Sequence, residues 1–237
     1  MATPLRNYKL IAIAGLKNSG KDTCANMLLY LLNVPKFFQT YWCYNYLKKW
    51  PFKNKWKITA FAKPLKQSLS VILNRPIEWF NDRYNKENYY VNLDTLELYP
   101  KTDVPDAVKL SENKFQKCIK TGEPLPENNV VSIRQLMQYY GTNVVRKFLG
   151  DKTWINATLN AQSNENLIIS DLRFKTEMME IYKRKGTIIY ISRSEAKPGS
   201  HASEKEVIDL YNANLFDFVI PNEGSLKELF YNIKTLI

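Results

Sequence analysis

The sequence predicts an α/β fold in which a parallel sheet is covered by helices, and three observations point there. Five short apolar runs rich in β-branched residues stand out, "LIAIAG" (10–15), "KITAFA" (57–62), "NLIISD" (166–171), "TIIYISR" (187–193) and "FDFVIPN" (216–222). Each is followed by a helical pattern, and strands apolar on both faces that alternate with helices belong to parallel sheets buried between helical layers. The first run leads straight into "GLKNSGKDT" (15–23), a glycine-rich turn between a strand and a helix in a chain with only eight glycines.

The helix starts are marked. Ser132 with Gln135, Ser203 with Glu206 and Ser225 with Glu228 fit the reciprocal capping pattern, and Pro64 suits a first turn. Gly186 is expected to close the helix after the third strand, and Leu226, Leu229, Phe230 and Ile233 to give the last helix one apolar face. Between 74 and 131 the pattern breaks into a stretch rich in Asn, Tyr and Pro, too long for a plain loop and read as an insertion that covers a site. A second irregular stretch, 194–202, reads as a short lid. The organisation expected is one domain over 1–237 carrying that insertion and lid.

Composition narrows the function classes. The 237 residues are 45% hydrophobic, enough for a sizeable core, and no apolar run approaches the roughly 20 residues needed to cross a bilayer. The run at 10–14 is too short for a signal-peptide core, so an intracellular location is the expectation. Cys24, Cys43 and Cys118 are odd in number and widely spaced, which argues against a disulfide framework or a zinc site. The formal charge of +11 favours polyanionic partners: nucleotides, nucleic acid or acidic headgroups. The densest basic stretch, 47–57, interleaves Trp50, Phe52 and Trp56; it could bind single strands, but a solvated face with snorkelling lysines is the better reading, and a nucleic-acid partner is not expected.

The glycine-rich turn carries the chemistry. A turn of this kind aims several backbone N–H groups at one point, at the positive end of a helix dipole, and can hold phosphates. The pattern G-x-x-x-x-G-K is complete: Gly15 and Gly20 supply conformations that side chains hinder, and Lys21 can reach the β and γ phosphates of a nucleoside triphosphate. Asp22 stands where Ser or Thr is usual, followed by Thr23, so the magnesium contact stays open between Asp22, Thr23 and water. Asp171, at the end of an apolar strand, can organise Mg²⁺ or its waters, or can simply form a turn.

Lys66 and Arg134 fall near the starts of their helices, where a cation opposes the macrodipole unless an anion is present; the alternative is a side chain directed into solvent. Arg146, Arg173 and Arg193 add fork-shaped donors suited to phosphate. The single histidine, His201, makes a histidine-activated hydrolase a poor fit. Transfer onto a phosphate, whose acceptor oxygen is already anionic, needs no strong base. His201 reads equally as a lid residue or a surface one.

Taken together, "SGKDT" (19–23), "SIRQLMQYYGT" (132–142), Trp154, "DLRF" (171–174) with Glu177, Arg193, "HASE" (201–204) and "NEGSLKEL" (222–229) resemble the bacteriophage deoxynucleoside monophosphate kinases, a branch of the P-loop nucleotide kinases. The resemblance spans nearly the whole chain. It implies a five-stranded parallel sheet in the order 2-3-1-4-5, a homodimer in the host cytoplasm, and phosphorylation of deoxynucleoside monophosphates with ATP and Mg²⁺ for DNA precursor supply. Carried over by residue, it implies that Gly15, Ser19, Gly20, Lys21, Asp22 and Thr23 hold the ATP phosphates, with Asp22 and Thr23 on the metal side. Asn222, Gly224 and Ser225 lie near the adenine. Leu65, Lys66, Arg134, Gly141, Thr142, Trp154, Asp171, Arg173 and Glu177 form the monophosphate pocket. Lys21, Arg134, Asp171, Arg173 and Arg193 are the implied catalytic set. Gly141 and Thr142 could instead mark a helix break, and Trp154 a core anchor. Other P-loop kinases, acting on dephospho-coenzyme A or phosphomevalonate, and a nucleic-acid-binding P-loop protein are the alternatives.

Overall fold

The computed structural model describes residues 4–48, 55–126, 130–162, 164–196 and 202–237. Among these, eight strands are present: β1 (Leu10–Gly15), β2 (Trp56–Thr59), β3 (Tyr89–Asn92), β4 (Leu98–Pro100), β5 (Val130–Ser132), β6 (Asn166–Leu172), β7 (Thr187–Ser192) and β8 (Phe218–Pro221). The helices are α1 (Lys21–Asn33), α2 (Tyr41–Leu47), α3 (Lys63–Ile72), α4 (Arg83–Asn88), α5 (Glu112–Thr121), α6 (Ile133–Tyr139), α7 (Lys147–Leu149), α8 (Thr153–Asn160), α9 (Lys175–Lys183), α10 (Ala202–Asn212) and α11 (Leu226–Lys234). A π-helical segment, Tyr140–Arg146, joins α6 to α7. The chain forms two compact units, one of Met1–Phe61 with Thr158–Ile237 and one of Ala62–Ala157.

The first unit is built on a five-stranded sheet in the order β2-β6-β1-β7-β8, with every pairing parallel. Numbered over the whole chain, this order differs from 2-3-1-4-5 only because β3, β4 and β5 belong to another sheet and fall between the second and third strands of this one. All six residues of β1 are buried, as a central strand covered on both faces requires. Against it pack the buried residues of α1, among them Cys24, Met27, Leu28 and Leu31, and Leu229, Phe230 and Ile233 of α11. Their three- and four-residue spacing lays one apolar stripe along each helix. Leu226, expected on that stripe, is 54% exposed, because its place in the first turn of α11 lies beyond the sheet-facing stripe. Asp22, in the first turn of α1, complements the helix dipole.

The second unit contains the stretch 74–131. There β4, β3 and β5 form a small antiparallel sheet in that order, and α5 begins at Ser111, whose side chain caps Lys114 N, and ends at the left-handed Gly122. Its core gathers Leu65, Leu69, Phe80, Val91, Phe115, Val131, Ile133 and Trp154. The capping pairs Ser132/Gln135 and Ser225/Glu228 are both formed reciprocally. The side chain of Ser203 lies outside the described residues. After α9 the left-handed position is taken by Lys185, while Gly186 serves a close approach: a Cβ there would sit 2.7 Å from Ile181 Cγ2 and 2.9 Å from the Leu10 carbonyl.

Candidate active site

The parallel order brings the carboxyl ends of four strands to one edge of the first unit, where open α/β sheets bind ligands. The glycine-rich turn leaves the end of β1, Asp171 lies near the end of β6, Arg193 follows β7 and Asn222 follows β8. Gly15 must be glycine, since a Cβ would lie 2.6 Å from Ser19 Oγ and 2.7 Å from the Ile191 carbonyl. Gly20 takes φ 95° and caps α1, and a Cβ on it would collide with the Asn222 amide. That amide donates to the Ser19 carbonyl at 2.8 Å, while Asn222 N continues the β7 ladder to the Ser192 carbonyl at 2.8 Å.

Two features fit this turn to a phosphate tail. Ser19 is 1% exposed and its hydroxyl has no hydrogen-bond partner among the described residues, a condition that costs about 1–3 kcal/mol unless a ligand oxygen supplies the missing bond. Lys21 folds back so that Nζ donates to the Leu16 carbonyl at 2.6 Å. Burial, with the Arg173 charge adding to it, lowers the Lys21 pKa to about 8, while Asp22, Glu204 and Asp171 act in the opposite sense. This ammonium is short of compensating charge and is ready for an anion. Glu204, a buried carboxylate on α10 and the last residue of "HASE", acts on Lys21 although it was not among the expected site residues.

Mg²⁺ needs few protein oxygens when phosphates and water complete its octahedron. Asp22 is exposed and Thr23 half-buried at the start of α1, so either fits such a role. Among the described residues no group of three or more His, Cys, Asp or Glu could hold a metal ion by itself.

The remaining expected residues of this unit have definite structural partners. Asp171 Oδ1 accepts from Phe61 N at 2.7 Å. Glu177, 2% exposed, accepts from Arg173 N at 2.8 Å and Phe174 N at 3.1 Å, fixing the backbone that carries the exposed Arg173. Arg193 pairs with Glu195 at 2.8 Å. Ser194 donates its backbone N–H and hydroxyl to Glu223, which lowers the Glu223 pKa. Ser225 caps α11, and Gly224 lies against the Glu228 carboxylate. Of the expected lid, residues 197–201, with His201, lie outside the described residues; so do Trp50 and Phe52 of the basic stretch.

In the second unit, Leu65, Gly141 and Trp154 come together. The Trp154 indole donates to the Gly141 carbonyl at 3.0 Å, and a Cβ on Gly141 would approach Leu65 Cδ1 to 2.9 Å. Thr142 is exposed on the same π-helical segment. Lys66 Nζ donates to Asn81 Oδ1 at 2.9 Å and Arg134 Nη2 to Glu87 Oε1 at 3.0 Å.

A parallel sheet in this order, with a complete G-x-x-x-x-G-K turn leaving the carboxyl end of its central strand, defines a P-loop nucleotide-binding fold. The profile of the deoxynucleotide monophosphate kinase family matches residues 9–233, and the chain belongs to that family, a nucleotide kinase. It is similar to the deoxynucleotide monophosphate kinase of Escherichia phage RB69, with 26% identity over 97% of this chain and 99% of that protein.

Proposed function

We propose that the protein transfers the γ-phosphoryl group of ATP, with Mg²⁺, to a deoxynucleoside monophosphate, giving ADP and a deoxynucleoside diphosphate for DNA synthesis. The observation that carries this reading is the phosphate turn. Its buried Ser19 hydroxyl, unpartnered among the described residues, and its under-compensated Lys21 ammonium sit where a triphosphate tail would supply oxygens to both. Lys21 exchanges the Leu16 carbonyl for β and γ oxygens, and the first N–H groups of α1 take the rest. Asp22 or Thr23 would hold Mg²⁺, which supplies neutralisation of phosphate charge.

Arg173 and Arg193 provide forks for the transferred group, and Arg134 with Lys66 receives the acceptor phosphate. Leu65, Gly141, Thr142 and Trp154 shape the acceptor side. The acceptor oxygen is already anionic, so catalysis rests on positioning and charge neutralisation without a general base. Family membership favours a nucleotide acceptor over the coenzyme and mevalonate alternatives. In this reading the enzyme works as a homodimer in a host cytoplasm, and a monomer in sedimentation velocity would remove the dimer.

The test is purified protein with ATP, Mg²⁺ and each monophosphate, deoxy and ribo, followed for ADP and diphosphate. Turnover of at least one deoxynucleotide is expected, and none with any of them sinks the reading. Lys21→Ala should lower the rate by about a hundredfold to a thousandfold with the fold retained.

A further inference from the structure

From Thr23 to Phe61 the chain carries six lysines and no Asp or Glu. One of these lysines, Lys57, is paired with Glu165. Within this stretch the first unit turns aromatic rings outward. Trp42 is 67% exposed and Tyr46 70%, and their ring centroids lie 4.7 Å apart on α2. Phe37, on the 3₁₀ turn Lys36–Phe38 just before that helix, is 82% exposed.

The fold fixes which way these rings face. Tyr41 and Tyr44 of α2 pack against Phe230 of α11, with centroids 5.8 and 5.5 Å away. Successive helical residues turn by about 100°, so Trp42 and Tyr46, four apart, share the face turned away from that contact. The Thr40 hydroxyl accepts from Cys43 N at 3.1 Å and caps the helix that carries them. Trp56, by contrast, is buried in the core.

Cations flank the rings. Lys48 stands two positions after Tyr46, with Nζ 5.5 Å from the centre of the Tyr44 ring. Lys234 Nζ donates to the Gln39 carbonyl at 2.7 Å, in the turn that leads into α2. Lys36 and Lys48 are exposed and form no ion pair among the described residues. Lysine is depleted at the centre of protein interfaces, and a membrane-surface helix needs a broad apolar face, whereas the inward face of α2 is already packed on the core. Single strands present unpaired bases that stack on rings and phosphates that draw lysines.

We propose that α2 and the turn before it bind single-stranded DNA, with bases stacked on Phe37, Trp42 and Tyr46 and phosphates held by Lys36, Lys48 and Lys234. None of these residues belongs to the catalytic or binding set of the kinase reading. Only the choice of DNA over RNA rests on that reading, in which the product feeds DNA synthesis.

The test titrates a fluorescently labelled thymidine oligonucleotide into the full chain, with and without saturating ATP and Mg²⁺. Saturable binding that weakens steeply with salt and is indifferent to ATP is expected. Competition by ATP would place the strand on the phosphate turn and overturn the proposal, as would no binding at all. Trp42→Ala and Tyr46→Ala should each weaken binding about fivefold or more, and Lys48→Gln should flatten the salt dependence. Unfolding midpoints and monophosphate turnover should stay at wild-type values in all three. An affinity within roughly twofold of wild type in the Trp42→Ala, Tyr46→Ala double variant overturns the proposal. So does tighter binding of duplex DNA or of a uridine RNA oligonucleotide, or uptake by phosphatidylserine vesicles in place of the oligonucleotide. A second readout needs no variant: the Trp42 indole N–H resonance should move when the oligonucleotide is added, and a stationary one overturns the assignment. Should wild type phosphorylate no monophosphate, the activity reading falls by itself, and the titration still decides on α2.

Discussion

The side-chain amide of Asn222 donates to the backbone carbonyl of Ser19 at 2.8 Å, across 203 positions of sequence. The bond ties the end of β8 to the phosphate turn and lays the amide where a Cβ on Gly20 would project. Two strands that never pair directly thereby hold one loop in shape.

Removing that amide should loosen the turn. Asn222→Ala leaves a buried carbonyl without its partner, a loss of about 1–3 kcal/mol. KM for ATP should rise, while KM for the monophosphate stays near its wild-type value. Asn222→Asp should be worse for ATP, because it sets a carboxylate beside the phosphate tail. An unchanged KM for ATP in both variants would show that the turn keeps its shape unaided.

The titration of Lys21 sets a pH dependence with a definite sign. The folded-state pKa is lowered from 10.5 to about 8. Between those values the unfolded chain keeps a proton on this lysine that the folded chain has released. Its unfavourable contribution to folding is therefore full below about pH 8 and fades as pH rises through the window. ATP binding has the opposite dependence: it requires the ammonium, so affinity should fall above pH 8 and binding should draw in a proton there. Calorimetry in two buffers of different ionisation enthalpy reads that proton directly. Equal heats would contradict the assignment, and Lys21→Arg, which stays charged, should abolish the difference.

Glu177 is predicted to act through Arg173. Its carboxylate holds the Arg173 and Phe174 N–H groups at the turn between β6 and α9. Glu177→Ala should cost about 1–3 kcal/mol and lower kcat through a misplaced guanidinium. Glu177→Gln, which keeps one acceptor oxygen, should recover much of the loss. If the stability falls in Glu177→Ala and kcat does not, the carboxylate is only a helix cap.

How much of this was legible follows from where the information lies. The runs at 10–15, 166–171 and 187–193 are strands buried on both faces, so composition alone marks them, and the phosphate turn announces itself because only Gly, Lys and a helix start meet its needs. The stretch 74–131 is different. Its strands are three or four residues long and antiparallel, too short to show alternation, and α5 is marked in sequence only by Ser111 and Gly122. Leu226 misled because helical spacing places a residue on a stripe without saying whether the sheet extends that far.

Trp154 gives the last prediction. Its ring belongs to the core of the second unit, and its indole N–H satisfies the Gly141 carbonyl on a π-helical segment, where the regular ladder of helical bonds is interrupted. The two contributions can be separated. Trp154→Phe keeps most of the packing but leaves that carbonyl unpaired, a cost of about 1–3 kcal/mol, whereas Trp154→Ala adds a cavity and should lose about 3–5 kcal/mol. If the π-helical turn shapes the acceptor side, Trp154→Phe should also raise KM for the monophosphate and leave KM for ATP alone. Denaturant unfolding and steady-state kinetics on the same preparations check both halves. A destabilised Trp154→Phe with wild-type KM for both substrates would make the tryptophan a core anchor and nothing more.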